Sequence, residues 1–160
     1  MQFLGNGISF TRAMRSTLGQ AVFFEHFTPA DINTMATYMH AYRANKGITI
    51  FSEGEPNSHL CVLAEGLVGV YRKEELGNHQ RIKTIQPGEI FGKTSLVDDH
   101  PYSVSLIAEA TCTLLLMSHE NFRRCVDRNP ALGARILQQI ARRLSLRLRQ
   151  AHEHPAGSRE

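Results

Sequence analysis

Residues 85–92 read Ile-Gln-Pro-Gly-Glu-Ile-Phe-Gly. Proline fixes φ and the glycine after it supplies a positive φ, so Pro87–Gly88–Glu89 specifies a tight turn. An apolar pair, Ile90–Phe91, follows, and Gly92 opens a second turn at once. Segments this short, cut by turn residues, belong to β-structure rather than to helices.

The same pattern extends outward in both directions. Asn45–Lys46–Gly47, Glu53–Gly54–Glu55–Pro56–Asn57, Glu65–Gly66 and Gly77–Asn78 separate further apolar runs. These runs predict strands at Ala41–Arg43, Ile48–Phe51, Leu60–Leu63, Leu67–Arg72, Gln80–Ile85, Ser103–Ala108 and Cys112–Met117. Seven short strands at such spacing must close or pair face to face to hide their edges. The expected fold is mainly β with flanking helices: an antiparallel β-roll, a jelly-roll-like double-stranded barrel, with N-terminal helices and a long C-terminal helix.

The flanks carry helical periodicity. A weak first helix is expected around Thr11–Leu18. A clearer one starts at Thr28, a capping residue followed by Pro29 and Asp31, with Ile32, Met35, Ala36 and Met39 on one face. After the β-roll, about 40–118, Ser118 caps a short helix to about Val126. Asn129–Pro130 breaks it and starts a longer helix to about Ala151, whose apolar residues include Leu137, Ile140, Leu144 and Leu148. Arg135, Arg142 and Arg149 recur on the opposite side. The organisation is thus a helical or flexible segment over 1–21, one domain over 22–151 and a disordered tail over 152–160.

Composition excludes several classes. A chain of 160 residues, 42% apolar and 21% charged, is an ordinary globular chain. No apolar run approaches the ~20 residues of a membrane span. Arg12 and Arg15 interrupt the N-terminal stretch, so no secretory leader is expected. Cys61, Cys112 and Cys125 form no close pair, which suits a reducing compartment and predicts a cytoplasmic protein. The net charge of +3 hides an asymmetry: between 121 and 150 there are eight arginines and a single acid, Asp127.

The glycine-punctuated stretch Gly54–Glu55 and Leu60–Val70, with Pro87–Gly88–Glu89–Ile90–Phe91–Gly92 and the offsets of Ser95–Leu96 and Ser103, resembles the cyclic nucleotide-binding domain family. The resemblance covers roughly residues 22–150. It implies a regulatory β-roll that holds a cyclic mononucleotide between a phosphate-binding cassette and a C-terminal helix, and no enzymatic activity. The cassette would comprise Phe91, Gly92, Lys93, Thr94, Ser95, Tyr102 and Ser103.

In that family a glutamate directly after Phe-Gly accepts from the ribose 2′-hydroxyl, and an arginine just before the serine pairs with the phosphate. Lys93 and Tyr102 stand at those two positions. Lysine cannot accept a hydrogen bond, and tyrosine offers one neutral donor in place of a charged fork. Each lost charge-assisted contact costs ~1.5–3 kcal/mol, together about two to four orders of magnitude in affinity. Ordinary binding of cAMP or cGMP is therefore not expected. Two readings stand: an altered site in which Lys93, with Thr94, Ser95, Ser103 and His100, holds another anion; or a solvated Lys93, with Tyr102 packed across the cassette.

The C-terminal helix commonly dimerises in this family, and Leu137, Ile140, Leu144 and Leu148 would form the seam of a parallel homodimer. A partner protein is the other expected outlet for a signal. DNA binding is not expected, because no helix-turn-helix follows the long helix in this sequence and its arginines alone give only sequence-independent affinity. One competing pattern remains, the cupin-like spacing of His59, Cys61 and Glu65, which would place metal ligands on one face of a strand.

Overall fold

A computed structural model of the chain describes residues 1–6, 12, 22–56 and 58–153. The expected helix at Thr11–Leu18 lies outside these residues, as do Asn57 and the tail beyond Glu153. Two antiparallel sheets form a β-roll. One has five strands in the order β1 (Gln2–Asn6), β2 (His40–Ala44), β9 (Cys112–Ser118), β4 (His59–Glu65) and β7 (Ile90–Phe91). The other has four, in the order β3 (Thr49–Phe51), β8 (Ser105–Ala108), β5 (Val68–Lys73) and β6 (His79–Ile85). The two sheets pack against each other without closing into a barrel.

The helices are α1 (Pro29–Ala36), α2 (His119–Arg128) and α3 (Pro130–Glu153). In α1, Thr28 and Asp31 cap one another: the Asp31 amide donates to the Thr28 hydroxyl at 3.1 Å and the Thr28 amide to the Asp31 carboxylate at 2.9 Å. Ser118 accepts from the Asn121 amide at 3.1 Å and starts α2. Helix α3 runs through Glu153, so His152 and Glu153 belong to it rather than to the expected tail. No helix among the described residues is long and apolar enough to cross a membrane.

Two cores share the five-stranded sheet. Cys61 and Leu63 of β4, with Leu114 and Leu116 of β9, face the other sheet. Leu60, Val62 and Ala64, with Leu115 and Met117, face the helices. Strands β4 and β9 are thus buried on both sides, which explains why they read as continuous apolar runs rather than as alternating ones. On the helical side, Ile32 and Met35 of α1 meet Phe122 and Cys125 of α2 and Ile136 and Ile140 of α3. Gly133 lets α2 and α3 approach closely, since a Cβ there would stand 2.8 Å from Cγ2 of Val126.

Three expectations are corrected. Residues 2–6 form a strand instead of helical or flexible chain, because the free edge of β2 satisfies their backbone groups and Phe3 packs edge-on against His40 and Tyr42. Ser103 and Val104 form a bend, so the strand after the cassette starts at Ser105. Glu65 does not continue the face of His59 and Cys61: an irregularity in the pairing between Leu63 and Glu65 breaks the alternation, and Glu65 accepts from the Thr113 hydroxyl at 3.2 Å.

Candidate ligand-binding site

The cassette segment leaves the sheet at β7, where Cys61 and Val62 pair with Phe91 and Ile90. Gly92 adopts a left-handed conformation, φ 68°, that a side chain would resist, and turns the backbone into a 3-10 turn over Lys93–Leu96. Buried side chains hold both ends of this turn. Phe91 inserts between the sheets, and Leu96 joins the helical core. Lys93 and Thr94 lie between them, half-buried.

Tyr102 is fixed through its backbone. The Gly54 amide donates to the Tyr102 carbonyl at 2.8 Å, and the Tyr102 amide donates to the Glu55 carbonyl at 3.0 Å. Its side chain points inward and is only 8% exposed. The ring stacks on Phe51, with centroids 4.5 Å apart and planes 16° from parallel. Phe51 in turn meets Phe91 edge-on at 6.1 Å and stacks on His59 at 6.4 Å. An aromatic group thus fills the interior between the sheets beside the cassette. The Tyr102 hydroxyl faces the amides of Ser58 and His59 but makes no hydrogen bond among the described residues. Burial pushes its pKa up to about 12, so it stays neutral at physiological pH.

Lys93 lies within electrostatic reach of charges on α3 and β6. Burial, followed by the charges of Arg147, Lys83 and Arg143, lowers its pKa to about 8, and Glu89 opposes the shift. Lys83, Arg143 and Arg147, whose charges reach Lys93, were not among the residues expected from sequence. The signal for the two arginines was present: Ile136, Ile140, Arg143 and Arg147 recur at steps of four, three and four, so all lie on the face of α3 turned to its own β-roll.

The remaining expected site residues are dispersed. Ser103 is exposed in its bend. The His100 side chain is exposed and its amide donates to Asp98 at 3.2 Å. Cys61 is fully buried, with its thiol pKa pushed well up by burial. Among the described residues no three His, Cys, Asp or Glu side chains come together as metal ligands. On α3, Leu137, Leu144 and Leu148 are 37%, 38% and 59% exposed, whereas Ile140 is 1% exposed and belongs to the domain core. Ala141, which is exposed, takes its place in the stripe.

The cyclic nucleotide-binding domain model matches residues 42–129, more than half of the chain. The chain belongs to the cyclic nucleotide-binding domain family. It is 27% identical over 121 residues to the cyclic AMP receptor protein of Thermus thermophilus, covering 76% of this chain and 56% of that one. It is 25% identical over 131 residues to a CRP-like cAMP-activated global transcriptional regulator of Mycobacterium tuberculosis, covering 82% and 58%. The chain therefore spans a little over half the length of these curated relatives. Among solved structures, a cyclic nucleotide-binding domain from Methylobacillus flagellatus superposes with a TM-score of 0.81 at 22% identity, covering 94% of this chain and 85% of that one. The family resemblance read from the glycine pattern is thus correct, and the relatives are regulators rather than enzymes by their names.

Proposed function

We propose that this cyclic nucleotide-binding domain is a regulatory module that does not take cAMP or cGMP in the family's ordinary manner. The observation that carries this reading is the stacking of Tyr102 on Phe51. At the position where the family resemblance implies a phosphate-pairing arginine, a neutral ring faces the core. Lys93, at the ribose-accepting position, adds a second mismatch, since an ammonium group has no lone pair to offer. The module signals through α3, by pairing with a second copy along Leu137, Leu144 and Leu148 or by docking a partner protein, in the cytoplasm.

One observation favours a second reading, a genuine cyclic-nucleotide sensor with an altered cassette. Among the described residues the buried Tyr102 hydroxyl faces the Ser58 and His59 amides without a well-formed hydrogen bond, and a buried polar group of that kind is satisfied when a ligand supplies a partner. The names of the curated relatives, a cAMP receptor and a cAMP-activated transcriptional regulator, support the same alternative and leave DNA regulation open for the whole protein.

Titration calorimetry with cAMP and cGMP separates the two. The first reading expects no saturable heat at millimolar nucleotide, and a micromolar dissociation constant for either ligand overturns it.

A further inference from the structure

Helix α3 carries a serine that neither the cassette nor the apolar stripe uses. Residues 142–149 read Arg-Arg-Leu-Ser-Leu-Arg-Leu-Arg, so Ser145 stands three places after Arg142 and two after Arg143. Ser145, Arg142 and Arg149 are all exposed. Helical residues three and four apart are neighbours, with Cβ atoms about 5–6 Å apart. Ser145 therefore has Arg142 and Arg149 to one side, and Ala141 and Leu148 of the stripe to the other. Among the described residues neither arginine has a carboxylate within 4.0 Å. No residue of α3 after Ile140 is fully buried, so the segment around Ser145 can open without disturbing the core.

This pattern suits covalent modification. A protein kinase takes its substrate as an opened segment, and an acidic groove recognises arginines just before the acceptor hydroxyl by charge complementarity. Ser58 and Ser103 are also exposed, but no arginine or lysine stands within the three residues before either. We infer that Ser145 is a phosphorylation site for a serine kinase of basic-sequence preference, and that its phosphate, clamped by Arg142 and Arg149, controls pairing along α3. In the transfer the Ser145 hydroxyl oxygen bonds to the γ-phosphorus of ATP. The bond from that phosphorus to the β-phosphate oxygen breaks, ADP leaves, and the hydroxyl proton passes to the base of the kinase. The modified side chain carries about −1.5 to −2 charge at neutral pH and three acceptor oxygens, which two arginine forks can meet. It also stands at the rim of the leucine stripe, where close pairing must strip its water, so it opposes self-association. This last effect rests on the reading above that α3 pairs along Leu137, Leu144 and Leu148; the modification itself does not.

The test incubates the full chain with ATP and a protein kinase that reads paired arginines, and maps the product by mass spectrometry. The expected result is a phosphate on Ser145, absent in Ser145→Ala and formed about tenfold more slowly or worse in Arg142→Ala/Arg143→Ala. Phosphorus NMR then reads the clamp. The second ionisation of the phosphate falls below its ordinary value of ~6, and Arg149→Gln, which lies outside the arginine pair that the kinase reads, brings it back. Light scattering reads the pairing, whose dissociation constant rises about tenfold or more on phosphorylation. No phosphate, or phosphate only on other residues, overturns the inference. An ionisation that is unshifted, or indifferent to Arg149→Gln, overturns the clamp, and a dimer unchanged by the phosphate overturns the control of pairing. A monomeric unmodified chain overturns the seam of the proposed function and the control of pairing with it, while the mapped phosphate and its ionisation still decide the site.

Discussion

The aromatic ring of Tyr102 lies 4.5 Å from that of Phe51, nearly parallel to it. Tyr102 is also clamped by two main-chain hydrogen bonds to Gly54 and Glu55. The chain thus uses for packing a position where the family resemblance implies a charged arginine. On the proposed function the same side chain bears on both stability and ligand choice, and variants of it separate the two roles.

Tyr102→Phe keeps the stack and removes a hydroxyl that makes no well-formed hydrogen bond among the described residues. It should leave stability unchanged or raise it, since deleting an unsatisfied buried polar group removes a desolvation penalty. Tyr102→Ala removes the ring and should cost ~3–5 kcal/mol, as large-to-small aromatic changes in cores do. Urea unfolding measures both. A loss above about 1 kcal/mol for Tyr102→Phe would mean that the hydroxyl is hydrogen-bonded after all.

Lys93 predicts an unusual dependence on pH. Its pKa is about 8 in the folded chain, lowered by burial and then by Arg147, Lys83 and Arg143 against the opposing Glu89. An unfolded chain holds the same proton up to the ordinary lysine value of 10.5. Between these two values the unfolded state binds more protons, so stability should rise as pH increases through that window. Lys93→Met should flatten this rise, as read from urea midpoints at stepped pH. Any anion that binds Lys93 should also weaken as pH climbs past about 8.

Asp31 titrates in the opposite sense. Burial raises its pKa, but hydrogen bonds from the Thr28 amide and hydroxyl and the guanidinium of Arg135 outweigh burial and hold it below 3.8. A depressed carboxylate contributes stability above its unfolded pKa, and that stability is lost as pH falls through the folded value. Asp31→Asn should therefore cost ~1–2 kcal/mol at neutral pH and almost nothing in strong acid. Thermal unfolding at both pH values tests it. The same pair explains why Arg135, read from its spacing as part of a free basic face, is engaged with α1 instead.

Two leucines on α3 carry the dimer proposal. Leu144→Asp with Leu148→Asp places charges on an exposed stripe and should convert a dimer to a monomer without lowering monomer stability. Light scattering reads the change, and a wild-type chain that is monomeric at micromolar concentration overturns the proposal. Ile140→Ala should behave differently, costing ~2–5 kcal/mol of fold stability, because that side chain is sealed in the domain core.

Much of the architecture was legible from local chemistry. Turn residues such as Pro87–Gly88 and Glu65–Gly66 mark boundaries whatever the tertiary context, so the seven long-range strands fell near their true places. Strand β1 could not be read that way, because its stability comes from the open edge of β2, some forty residues later in the chain. Ile90–Phe91 is too short to show a period and becomes a strand only by pairing with Cys61 and Val62. At the site, the identities of Lys93 and Tyr102 were plain, but their surroundings were not. Which way a half-buried lysine turns depends on α3 crossing nearby, and no local pattern near residue 93 encodes that crossing. Ile140 was assigned to the seam because a stripe drawn at steps of three and four can drift across two faces. The structure separates the inward row, Ile136 and Ile140, from the outward one, Leu137, Ala141, Leu144 and Leu148.

Helix α3 makes its last fully buried contact at Ile140 and continues to Glu153. That remainder is a cantilever of roughly 20 Å, at ~1.5 Å per residue. Arg143 sits close to its fulcrum, and Arg147 and Leu148 lie about halfway along it. A tilt of about 10° at the fulcrum would sweep the tip through roughly 3–4 Å, over half the pitch of a helical turn. Small adjustments against the β-roll are therefore magnified where the exposed leucines lie, and an arm of this kind reports a change of angle better than a change of shape.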